Sequence, residues 1–114
     1  MINVRLTSTF WVSVFRRKLE SHGIPIFIIK KGDSQAGSII IRVSDLQGRS
    51  QIFVQEPTAD GERAWVELTN GLDTEIEEVL AKQKKFDSDV WIIEVEQSRG
   101  NSVVENFLLA NLEN

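Results

Sequence analysis

Asp89-Val90-Trp91-Ile92-Ile93-Glu94-Val95-Glu96 is the segment on which the fold reading turns. Strand alternation puts Val90 and Ile92 on one face, and Trp91, Ile93 and Val95 on the other. The run Ile24-Pro25-Ile26-Phe27-Ile28-Ile29-Lys30 is also apolar on both faces. A strand covered on one side only would alternate apolar with polar residues, so a two-faced strand implies packing above and below the sheet. The expected architecture is a three-layer α/β domain of α+β connectivity. It has a mixed, largely antiparallel sheet of four to five strands covered by helices on both faces, and the two apolar strands are placed centrally.

The remaining elements follow outward from these strands. Trp11, Phe15 and Leu19 recur every four residues behind the N-cap candidates Thr7, Ser8 and Thr9, and Gly23 and Pro25 end the pattern; this predicts a helix over Thr9–His22. Ser38–Val43 and Ser50–Glu56 read as strands, and Arg63–Leu68 as a weaker one. Thr74-Glu75-Ile76-Glu77 matches a capping box ahead of Val79 and Leu80. Its Glu-rich start and Lys-rich end suit the helix dipole without any functional role. Ser102-Val103-Val104-Glu105 offers a second capping box before Phe107, Leu108 and Leu112. The expected organisation is one domain over 1–114, with a core of about 4–97 and a helical tail of about 102–113. The tail is expected to complete the second covering layer. The expected single core contains Trp11, Phe15, Ile28, Ile40, Ile76, Leu80, Trp91 and Ile93.

Composition narrows the function classes. With no cysteine and one histidine in 114 residues, thiol catalysis, disulfides, and zinc or iron–sulfur sites of the usual ligand sets are excluded. The longest apolar run, Ile26–Ile29, is too short to cross a bilayer, and no signal-peptide pattern opens the chain; a cytoplasmic protein without membrane contact is expected. The net charge of −4 speaks against nucleic acid. That charge is uneven. Residues 1–57 carry eight basic and four acidic side chains, net +4, and residues 58–114 carry five and thirteen, net −8. Such a split fits an internally complementary fold or a contact between copies.

Arg5-Leu6, Phe10-Trp11-Val12-Ser13, Arg16-Arg17, Lys31-Gly32-Asp33, Ala36-Gly37, Asp60 to Trp65, and Phe86 to Glu96 follow one another in order. This ordered set resembles the bacterial domain-of-unknown-function family 1491, of mainly alphaproteobacterial proteins, over about residues 4–97. Ser88 stands where the family pattern has Pro, and the tail after about Gly100 has no counterpart in it. The resemblance implies a three-layer α/β arrangement and no particular activity.

Candidate sites are few. Lys31, Gly32, Asp33 and Gly37 form a loop whose glycines bring backbone N–H groups within reach of an anion, and Arg63 could join them; the same loop also fits a plain strand connection. Trp65, Phe107, Leu108 and Leu112 are candidates for partner contact, with core packing as the alternative. No catalytic or metal-ligating constellation is found, and no cofactor is expected. The leading expectation is a small non-enzymatic binding or protein-interaction module, with self-association or an unidentified protein as partner. The alternative is an enzyme or small-ligand binder acting on an anionic metabolite through Lys31, Asp33 and Arg63.

Overall fold

The computed structural model describes residues 6–98 and 100–110. The elements in chain order are α1 (Ser8–Ser21), β1 (Ile26–Lys30), β2 (Ile39–Ser44), β3 (Arg49–Pro57), β4 (Arg63–Leu72), α2 (Asp73–Phe86), β5 (Trp91–Glu96) and α3 (Val103–Ala110). Arg5 and Leu112 lie outside the described residues.

The five strands form one mixed sheet in the order β1-β5-β2-β3-β4, antiparallel except for the β2–β5 pair. A hairpin cannot join parallel strands, so the chain leaves β4, turns back over β4 and β3 as α2, and returns as β5 beside β2. The sheet separates two apolar clusters. Phe15, Leu19, Ile41, Trp91, Ile93, Val95, Val104 and Leu108 belong to the larger one, under α1 and α3. Ile40, Ile52, Ile76, Leu80, Val90 and Ile92 form the smaller one, under α2. The alternation read in β5 is thus the division between the two cores.

Several expectations are corrected. The single core becomes two, because a sheet with helices on both sides has a core on each. β1 is an edge strand rather than a central one, and Ile28 is 39% exposed. A short apolar run looks alike in a central strand and on an edge, because rank in the sheet depends on distant pairing partners. Trp11 is only half-buried, packed against the larger core. The tail helix shares its face with α1, so it is α2 and not the tail that completes the second covering layer.

Helix ends follow local chemistry. Thr7 Oγ1 accepts from the Phe10 N–H at 3.2 Å, and Gly23 adopts the left-handed φ of +72° expected of the stop after α1. At α2 the reach-back comes from Glu75, not Glu77: its Oε1 accepts from the Leu72 N–H at 2.9 Å, so the helix starts ahead of Thr74. α3 is capped by Gln97, whose Oε1 accepts from the Val104 N–H at 3.0 Å, and by Asn101, whose Oδ1 accepts from the Val103 N–H at 3.1 Å. The tail is thereby pinned to the end of β5. Val104 and Leu108 are both fully buried. Deleting residues 101–114 is expected to cost ~2 kcal/mol or more in urea denaturation, with the oligomeric state unchanged. A loss below about 0.5 kcal/mol would show the helix to be dispensable to the core.

Candidate functional site

The glycines of the 31–37 loop are enclosed by protein. A Cβ on Gly32 would lie 2.5 Å from Trp91 Cδ1 and 2.7 Å from the Val90 carbonyl carbon, and one on Gly37 would lie 2.6 Å from the Asp89 oxygen. Asp33 Oδ2 accepts from the N–H groups of Gln35 (3.1 Å) and Ala36 (2.9 Å), closing the turn. The Asp33 N–H donates to Asp89 O at 2.9 Å, and the Trp91 indole N–H donates to Asp33 O at 2.7 Å. Both the carboxylate and the backbone of Asp33 are therefore committed to the fold.

The first turn of α1 sits on this loop. Ser8 and Thr9 N–H groups donate to Gln35 O and Ser34 O, each at 3.1 Å, and Ser8 Oγ donates to Gly37 O at 2.6 Å. Phe10 and Trp11 N–H groups donate to Thr7. The donors that make a helix start attractive to anions are thus all occupied. Among the proposed ligand residues, Gly37 and Arg63 do meet, in a crevice of about 470 Å³ that also takes in Trp11, Gln35 and Gln55. Lys31, Gly32 and Asp33 do not line it. Glu62 lines the same crevice, whose charged side chains therefore carry both signs.

The proposed contact residues are divided. Trp65 is 2% exposed and Leu108 fully buried, while Phe107 is half-buried. Trp11 stacks on Phe15 with ring centroids 4.9 Å apart and tilts against Trp65 at 5.1 Å, and Phe107 lies 5.5 Å from Phe15. These aromatics hold α1, α3 and β4 together, so the described ones serve the protein's own core.

Sequence reasoning missed three features. One is a polar hollow of about 290 Å³ at the far end of the sheet, lined by Asp45, Arg49, Gln51, Asn70, Gln97 and Asn101. These residues come from separate segments, and no local pattern links them. The second is Arg42, buried on the α2 face. Its Nη1 meets Glu77 Oε1 at 2.5 Å, its Nη2 lies 3.3 Å from Asp73, and its Nε lies 3.6 Å from Glu94 and donates to Ser50 Oγ at 3.1 Å. Burial pulls the Arg42 pKa down, but the Glu77 hydrogen bond and charge, with Glu94 and Asp73, outweigh it and hold the value above that of an ordinary arginine. Here a basic residue of the first half meets three acids of the second, so part of the charge split is complemented inside the molecule. Among the described residues no three His, Asp or Glu side chains converge on a metal position.

The third is the β1 edge. Phe27, Ile28 and Ile29 are 47%, 39% and 58% exposed on consecutive positions of a strand that, among the described residues, is paired on one side only. Phe27 shares a face with its partner Glu94, where α2 covers β3 and β4 instead. Edge strands are ordinarily blunted by charge, proline or a covering element. Lys30 could serve that purpose, yet its Nζ folds back to donate to Ser88 O (2.7 Å) and Val90 O (3.0 Å). The strand therefore presents an apolar side to its surroundings. No described helix is long and apolar enough to cross a membrane.

Comparison with known proteins places this architecture. A crystal structure of a DUF1491 family protein from Caulobacter crescentus CB15 has a TM-score of 0.77 at 25% identity, covering 85% of this chain and 92% of that one. The solution structure of protein Atu0922 from A. tumefaciens has a TM-score of 0.74 at 27% identity, covering 89% and 92%. No functionally curated protein matches the chain. The family model described as "Protein of unknown function (DUF1491)" matches residues 6–105, which extends the likeness beyond β5 into the tail helix. The chain belongs to the DUF1491 family.

Proposed function

We propose that this protein is a non-enzymatic protein-interaction module that engages its partner through the β1 edge. The observation that carries the reading is the uncovered run Phe27-Ile28-Ile29 on an edge strand whose outer side pairs with no described strand. Its open N–H and C=O groups supply affinity by strand addition, and the alternating side chains supply selectivity. The anionic-metabolite reading draws less support, because Gly32 and Asp33 are consumed by the fold and an acid, Glu62, lines the crevice together with Arg63.

The test is a photo-reactive phenylalanine analogue at position 27 in living cells, with the same residue at Leu46 as control. Leu46 is 63% exposed in the β2–β3 turn, away from the β1 edge. A discrete protein adduct is expected at 27 and none at 46. No adduct at 27, or equal labelling at both positions, would refute the reading.

A further inference from the structure

We infer that the occupant of the β1 edge is a second copy of this chain, paired antiparallel about a two-fold axis at Phe27. The inference rests on the interaction reading above and adds the partner and its register. Glu96 N–H donates to Pro25 O at 3.1 Å, and Ile26 faces Val95. In an antiparallel ladder the bonded positions alternate, so Pro25 and Phe27 turn their backbone toward β5 while Ile26 and Ile28 turn theirs outward. The N–H that proline lacks is thus missing on the β5 side, and the outer edge keeps a donor and an acceptor at both Ile26 and Ile28.

The surroundings select one register. Centring the pair on Ile26 would set Ile28 against Ile24 of the second copy, but the Ile24 N–H already donates to Leu19 O at 3.0 Å. Centring on Ile28 would need position 30 in phase, and the ladder is irregular between Ile28 and Lys30. Centring on Phe27 matches Ile26 with Ile28 of the second copy in both directions, which satisfies four outward donors and four outward acceptors. The two Phe27 rings then face each other as a non-hydrogen-bonded pair, the closer kind, on the face that α2 leaves open. No like charges stand opposite one another, since each Lys30 falls against Ile24 and is folded onto its own β5. The isologous contact closes on itself and joins two sheets of five strands. Its exposed side chains are few, so the pair sits at the small end of interfaces, and a dissociation constant on the order of 10–100 µM is expected.

Sedimentation of the full chain from about 5 µM to 1 mM is expected to move from monomer to dimer over that range. Phe27→Glu should weaken the dimer at least tenfold without changing the melting temperature, because Phe27 is half exposed in the monomer. The chain has no native cysteine, so Phe27→Cys reports on the register directly. Non-hydrogen-bonded partners stand about 4.5 Å apart at Cα, within disulfide reach. Under diamide, Phe27→Cys should form a covalent dimer at least ten times faster than Leu46→Cys. A chain that stays monomeric at 1 mM, or equal rates for the two cysteines, overturns the inference. If the chain is monomeric yet position 27 gives an adduct with a different protein in cells, the second copy is refuted and the edge retained. If there is neither dimer nor adduct, both fall.

Discussion

Trp91→Ala is expected to lower the free energy of unfolding by ~3–5 kcal/mol, read as a shift in the urea midpoint. Trp91 is 2% exposed in the larger core, so truncation removes a large buried surface and leaves a cavity that the sheet cannot close. It also removes the indole donor to Asp33 O, leaving that carbonyl without its 2.7 Å bond. The 31–37 loop should loosen together with the core, visible as faster amide exchange at Gln35 and Ala36. A loss under about 1 kcal/mol would place Trp91 outside the load-carrying core.

Gly32→Ala is the second large effect, with ~3 kcal/mol or more expected from one methyl group. Ordinary overpacking costs about 1–3 kcal/mol where side chains can shift. Here the added carbon meets the Asp89 and Val90 backbone just ahead of β5 as well as the Trp91 ring, and that backbone is held on both sides by the Asp33 N–H bond to Asp89 O and the Trp91 backbone N–H bond to Ser38 O. The cost is steric and not conformational, since Gly32 is not among the residues of positive φ. The variant separates the two readings of this loop. Strong destabilisation marks Gly32 as a packing residue, whereas wild-type stability within about 0.5 kcal/mol would return the loop to candidacy as a ligand cradle.

Much of the architecture was legible because it is encoded locally. Trp11, Phe15 and Leu19 define the stripe of α1, Thr7 caps it and Gly23 ends it, all within one stretch of chain. The phase of β5 could be read from six residues, since alternation is a property of the strand itself. Two-sided cover followed from that phase. The helix starts were read less well. The 74–77 motif competed with Glu75 and Leu72 two residues upstream, and Gln97, which caps α3, lies on the far side of a turn from it.

The candidate site divides along the same line. Composition ruled out thiol chemistry and the usual cysteine-based metal sites, and turn residues located the 31–37 loop. Neither could say whether its glycines face a ligand or the back of Trp91, because that depends on a strand nearly sixty residues away. The polar hollow, the Arg42 cluster and the meeting of Gly37 with Arg63 are likewise assembled from distant segments.

Periodicity, capping and composition therefore establish the elements, their apolar faces and the absence of whole classes of chemistry, because each is set by neighbours along the chain. Strand order is set by pairing energies between remote segments. It alone seated β5 between β1 and β2, and so left Phe27, Ile28 and Ile29, as apolar as any core strand, on an open edge.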